Sequence, residues 1–235
     1  MIIPIEKPMS FKMNKSIELE ISSTIKSKVS SFWNDFLKDK KDYWNGDIFV
    51  VTDIDLNNNT LIIAKTKFSN LVYAKNNKDL TVRSLFVSIL LKTKDEKYIV
   101  IKNNHNKINI IGGLADSSDF INGTFYPSLC IEREVLEEIG INLKDKNKVI
   151  NYSMKYLKIP MNDENYYPIG ILYVGNLNFT SYDFSKYINK NTFDGEIKEC
   201  YFYNSEEILN LNLTDDDISY LSEFVEIERL VNKNN

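Results

Sequence analysis

Arg133-Glu134-Val135-Leu136-Glu137-Glu138-Ile139-Gly140-Ile141 is the stretch on which the reading of this chain turns. At about 100° per residue on a helix, Glu134, Glu137 and Glu138 fall at i, i+3 and i+4 and share one arc of surface. Like charges on one face cost energy unless something positive meets them. A hard divalent cation would do so, and Mg²⁺ prefers a few carboxylates together with retained water and substrate phosphate oxygens. Ile131, Val135 and Ile139 lie beside the arc and can anchor the helix on a sheet. Read alone, the cluster is more often the acidic face of a solvated surface helix, so its neighbours in the chain must decide.

Working outward, Pro127 near the start and Gly140 at the end bound a helix over 127–139. Before it come strand-like runs at Leu85–Lys92, Lys97–Lys102 and Ile108–Ile111, with turns at Thr93–Glu96 and Asn103–Lys107, which predict a mostly antiparallel sheet. Gly112-Gly113 ends the third run, and a residue without a side chain could let a backbone carbonyl approach the same ion. After the helix, strands are expected at Val149–Ile159, Ile169–Leu177 and Ile197–Tyr203. Ser205-Glu206-Glu207 reads as a helix start, and a last helix is expected over about Asp215–Val231, its Asp215-Asp216-Asp217 run being the acidic first turn that the helix dipole favours.

With this context the stretch resembles the signature of the Nudix hydrolase superfamily: Gly, five residues, Glu, seven residues, then Arg-Glu-U-x-Glu-Glu-x-Gly-U with U aliphatic. Arg133 to Ile141 meets every specified position of the second half. The first half departs from it. Counting five residues from Gly113 selects Asp119 where the family has Glu, and thirteen residues separate Asp119 from Arg133 instead of seven, as if six residues near Phe120–Phe125 were inserted. The resemblance covers roughly Ser84–Val231 and implies an α/β fold, an α/β/α sandwich with a mixed sheet. It further implies that Glu134, Glu137 and Glu138 hold Mg²⁺, or Mn²⁺ in its place, that a Gly112 or Gly113 carbonyl completes the site, and that Arg133 orients a carboxylate. Asp119 would be a ligand or an orienting group. A separate acid serves as base in some members; Glu164, in Met161–Asn165, and Glu199 are the candidates, each with the plainer reading of a solvated surface acid.

The implied reaction is metal-dependent hydrolysis of a phosphoanhydride in a nucleoside diphosphate derivative, with water attacking phosphorus in line. A nucleotide sugar ranks first, because some members that act on such substrates carry an N-terminal helix and hairpin with a Trp-x-Gly-like element and a lengthened loop. Trp44-Asn45-Gly46 and the Asp119–Arg133 spacing look similar. ADP-ribose, dinucleoside polyphosphates, capped RNA and coenzyme A stay open, as does a non-catalytic module that senses a nucleotide metabolite.

The first 82 residues lie outside the resemblance and read as an N-terminal subdomain, with 83–235 as the hydrolase domain. Ile25, Val29, Phe32, Trp33, Phe36 and Leu37 predict an amphipathic helix over Ser16–Lys40, and Ile48–Ile54 and Thr60–Phe68 a hairpin turned by Asn57-Asn58-Asn59. Ser69–Val82 is polar and reads as a connector. Composition narrows the class further. At 235 residues and 43% hydrophobic the chain can bury its own core, and no apolar run approaches the roughly 20 residues that span a bilayer. Cys130 and Cys200 read as reduced thiols, and His105, the single histidine, leaves no His–Cys zinc cluster. With no export signal in the opening residues, a cytoplasmic location is expected. A net charge of −4 disfavours a long nucleic acid; the resemblance implies a small nucleotide-derived substrate, and a homodimer stays open. His105 in a turn reads as an exposed loop residue, and Tyr166, Tyr167 and Trp44 as core or surface aromatics rather than base-stacking groups.

Overall fold

The computed structural model describes residues 1–39, 43–159, 167–188, 197–211 and 220–233. In chain order these form β1 (Ile2–Pro4), β2 (Ser10–Glu18), α1 (Ser23–Asp39), β3 (Asp47–Asp55), β4 (Thr60–Lys67) and α2 (Phe68–Asn76). There follow β5 (Leu85–Lys92), β6 (Tyr98–Asn103), β7 (Ile108–Asn109), β8 (Ile111–Leu114), β9 (Phe120–Ile121), β10 (Thr124–Phe125) and α3 (Pro127–Ile139). The remainder are β11 (Val149–Lys158), β12 (Ile169–Leu177), α4 (Ser181–Ile188), β13 (Ile197–Tyr203), α5 (Ser205–Leu209) and α6 (Leu221–Lys233). Among the described residues, no helix is long and apolar enough to cross a membrane.

The main sheet runs β1-β11-β12-β5-β6-β13, with β8 on β5 and β7 on β6. It is mixed: β5 and β12 are parallel, in register from Leu85↔Ile169 to Lys92↔Asn176, and the other described pairs in it are antiparallel. Strand β5 shows why helices must cover both faces, because its side chains alternate. Leu85, Val87, Ile89 and Leu91 pack with Cys130, Ile131, Val135 and Ile139 of α3 and Phe184 of α4. Leu90 points the other way, into a second core with Leu221, Phe224 and Val225 of α6. Helix, sheet and helix thus stack as an α/β/α sandwich.

Residues 10–67 add a separate three-stranded sheet, β2-β4-β3. Its strand β3 alternates in the same way: Phe49 and Val51 join the α3 core, whereas Ile48 and Val50 pack with Leu71 and Ala74 of α2. Isolated bridges Ile48↔Asp116 and Val50↔Ser84 tie β3 to the loops that flank β5 and β8. Helix α1 lays Val29 and Trp33 inward, and Phe32 meets Tyr73 of α2 edge-on at 5.5 Å.

The expected helix over Ser16–Lys40 is corrected at its start, since residues 10–18 form β2 and α1 begins at Ser23. Strand β2 is held by parallel pairing with β4, a distant partner that local periodicity does not report. The supposed connector after Phe68 holds α2, whose Leu71, Tyr73 and Ala74 are buried and whose first turn is capped from outside, Ser69 N donating to Asn45 Oδ1 at 2.8 Å. Elements β1, the β9–β10 hairpin and α4 were not anticipated either. The last helix is described from Leu221, and Asp215-Asp216-Asp217 lies outside the described residues.

Candidate active site

Helix α3 begins with Pro127 at its first turn and stops at Gly140, which takes the left-handed conformation (φ 66°) and returns its N–H to Leu136 O at 3.0 Å. Its back is clamped: Glu132 accepts from Tyr152 Oη at 2.6 Å and pairs with Lys144 Nζ at 2.6 Å. With the helix fixed in rotation, the acidic arc turns toward β8. Gly113 of β8 lies directly under Glu134, where an added Cβ would sit 2.3 Å from the Glu134 Oε1 carboxylate oxygen. Gly112, at φ +151°, would place a Cβ 2.3 Å from Val87 O, a backbone atom, so that position is closed to larger residues, whereas a Cβ at Gly113 would push the Glu134 carboxylate aside.

Arg133 is the hub of the site. Its Nη1 reaches Glu134 Oε1 at 2.6 Å and Glu137 Oε2 at 3.4 Å, and its Nη2 reaches Asp119 Oδ2 at 3.1 Å and Leu114 O at 3.4 Å. Asp116 lies 3.7 Å from Nη2. Asp119 is 1% exposed and sits in a 3₁₀ turn, Ser117–Asp119, where its Oδ2 also accepts from Asp116 N at 2.9 Å and Asp116 Oδ1 accepts from Ser118 N. The Asp119 carboxylate is therefore taken up by a guanidinium and a backbone N–H. Glu138 is buried at 6% exposure, and the Glu137 side chain is half-exposed. Cys130 lies beneath this cluster; burial, with Asp119 and Glu134 close by, raises its pKa well above the ordinary value, so it stays a thiol and supplies no nucleophile.

Burial pushes the pKa of Glu134 up to about 7 against the opposing pull of Arg133. A carboxyl raised in the folded state contributes stability that is complete below its unfolded value, near 4.5, and is lost as pH rises through about 7. In metal-free protein Glu134→Gln should remove this dependence. Between about pH 5 and pH 8 its stability should gain on the wild type by up to on the order of 3 kcal/mol. Denaturant unfolding in the presence of a chelator measures this, and parallel pH profiles would contradict it.

The donor set suits a hard cation, since several carboxylates face one guanidinium, and glycine leaves room beside Glu134. Among the described residues, however, no three of His, Cys, Asp or Glu converge as a metal shell. Arg133 draws Glu134 and Glu137 to itself. Glu199 stands apart at the start of β13, where a hydrogen bond from Tyr201 Oη holds its pKa below the usual range. Glu164 and Tyr166 lie outside the described residues. Tyr167 is buried under the Arg83 guanidinium, 5.3 Å from its ring centroid; His105 is exposed in a turn; Trp44 is exposed beside Phe68. Glu132, Tyr152 and Lys144 escaped sequence reasoning, because nothing local links a helix residue to a strand twenty positions on.

Neither a family model nor a curated protein sequence matches the chain. Among solved structures, a Deinococcus radiodurans protein aligns at TM-score 0.49 and 13% identity, over 77% of this chain and 97% of that one. A Nudix hydrolase from Nitrosomonas europaea aligns at TM-score 0.41 and 15% identity, over 64% of this chain and 90% of that one. The chain is similar to solved Nudix structures. Another is the Nudix domain of Shewanella oneidensis NrtR, solved with ADP-ribose, at TM-score 0.41 and 14% identity over 68% of this chain and 97% of that one.

Proposed function

We propose that the chain is a Nudix-type hydrolase that cleaves a phosphoanhydride in a small nucleoside diphosphate derivative, with Mg²⁺ or Mn²⁺ as cofactor. The observation that carries this reading is the meeting of Gly113 and Glu134: the two halves of the signature, separated in sequence by the extra residues, lie against each other in space. Glu134, Glu137 and Glu138 would hold the metal, with a carbonyl of Gly112 or Gly113. When bound, the ion would neutralise the diphosphate and polarise it toward attack by water. The chain's own residues supply orientation and proton handling. Arg133 orients Glu134 and Glu137, and Asp119 orients Arg133 and is not itself a ligand. Glu134 Oε1 accepts from Arg133, which leaves Oε2 for the ion, and Glu199 remains the described candidate for the base that takes the proton of water.

A nucleotide sugar heads the substrate ranking, with cleavage between the two phosphates, because Trp44-Asn45-Gly46 and the lengthened Asp119–Arg133 spacing resemble members that act on such substrates, and a net charge of −4 disfavours a long nucleic acid. A hydrolysis screen over UDP-glucose, ADP-ribose, dinucleoside polyphosphates and capped RNA, with Mg²⁺ and Mn²⁺, tests it by the phosphorylated products released. Turnover of capped RNA alone would overturn the ranking. Tight nucleotide binding without hydrolysis of any compound would overturn catalysis in favour of a sensor. Gly113→Ala should lower turnover about tenfold or more with the fold retained, because the new methyl group displaces the Glu134 carboxylate by a fraction of an ångström to an ångström. Unchanged turnover in Gly113→Ala would separate that glycine from the site.

A further inference from the structure

The residues that lengthen the spacing between Asp119 and Arg133 are not a loose loop. They form the β9–β10 hairpin, with Thr124 opposite Ile121 and Phe125 opposite Phe120. Asn122 (φ 50°) and Gly123 (φ 78°) make the tight turn that matches strand twist. Both phenylalanines face the N-terminal sheet. Phe120 stacks on Phe49 of β3 at 4.0 Å between ring centroids, and Phe125 meets Phe11 of β2 edge-on at 5.2 Å.

The base of this hairpin is closed by Tyr126 N donating to Asp119 O at 2.9 Å. On the other side of Asp119, β3 takes hold again: Phe49 N donates to Ala115 O at 3.0 Å, and Ile48 bridges to Asp116. Asp119 thus sits on a short turn whose two flanks are both fastened to the N-terminal sheet. Arg133 depends on that turn. A long side chain loses rotamer freedom when fixed, so holding one guanidinium across two glutamates needs a rigid anchor. The buried Asp119 carboxylate provides it.

We propose that the N-terminal sheet is the positioning scaffold of the Asp119–Arg133 arm: Phe49 and Phe11 hold the hairpin, the hairpin holds Asp119, and Asp119 sets Arg133 across Glu134 and Glu137. Residues 1–82 on this view are a working part of the catalytic site and not a separable appendage. The effect on turnover rests on the hydrolase reading; the effect on Arg133 does not.

The test uses Phe120→Ala in the full chain. Phe120 is only partly buried in a two-residue strand, so the fold should survive. The Arg133 Nε–H, which donates to Asp119 Oδ1 at 3.4 Å and is followed by NMR hydrogen exchange, should lose protection about tenfold, and kcat should fall about tenfold with KM little changed. Phe120→Tyr should restore both. In an Asp119→Asn background, Phe120→Ala should bring no further loss of kcat. Independent, multiplicative losses, or unchanged Arg133 exchange in Phe120→Ala, would overturn the proposal. Should Phe120→Ala fail to fold, Phe11→Leu, which loosens the same clamp from β2, carries the same expectations. Should the wild type hydrolyse nothing in the screen, the functional reading fails while the Arg133 exchange still decides this one.

Discussion

Glu137→Gln is expected to lower turnover roughly a thousandfold while leaving the protein folded. The change keeps the side chain's volume and removes one negative charge. If the ion it helps to hold contributes about 4 kcal/mol of transition-state stabilisation, its loss corresponds to about three orders of magnitude. Stability should hardly move, because the Glu137 side chain is 48% exposed and its contact with Arg133 is 3.4 Å. Exposed pairs of this kind are worth about 1 kcal/mol or less. Glu138 is a poorer probe, since at 6% exposure its replacement disturbs packing as well as chemistry. Steady-state kinetics at saturating Mg²⁺, with circular dichroism as the control, decides the matter. Wild-type turnover in Glu137→Gln would remove this carboxylate from the site.

Arg133→Met should be the most destabilising single change in the cluster. The guanidinium is the positive partner of Asp119, which is 1% exposed, and of Glu134, whose side chain is 12% exposed. Removing it leaves the buried Asp119 carboxylate uncompensated, a defect that costs about 3–5 kcal/mol. For a chain of this size that lowers Tm by at least roughly 6 °C at neutral pH. The deficit should shrink in acid, where the stranded carboxyls take up protons. Arg133→Lys should recover only part of it, because a single ammonium cannot replace a planar fork that serves Asp119 on one prong and Glu134 and Glu137 on the other. A Tm within about 2 °C of wild type across this pH range would mean that water or rearranged side chains already satisfy these acids.

These two residues also mark how far the sequence could be read. Helix α3 was legible to its ends, because Pro127, the spacing of Ile131, Val135 and Ile139, and Gly140 are local signals that all agree. The β3–β4 hairpin and strands β5, β11 and β12 were legible for the same reason: each carries a run rich in apolar, aromatic or β-branched residues bounded by more polar segments. That Glu134 and Glu137 share a face followed from helix geometry, and both meet Arg133. Strand β2 and helix α2 were not legible, since one is held by a parallel partner and the other is capped by Asn45 from a distant loop. The β9–β10 hairpin could have been found from Asn122-Gly123 between Phe120-Ile121 and Thr124-Phe125, a turn pair flanked by strand formers.

By itself the sequence determined α3, the β3–β4 hairpin and most strands of the main sheet, and which face of α3 is acidic, because helix periodicity and chain punctuation act over a few residues and need no partner. Only the tertiary structure decided what that face meets. Gly113 lies under Glu134, Asp119 is fastened to Arg133 across the added residues, and β3 grips both flanks of the Asp119 turn. Each of these is a contact between segments far apart in the chain, selected by how one buried core closes around the sheets, and no local pattern of residues encodes it.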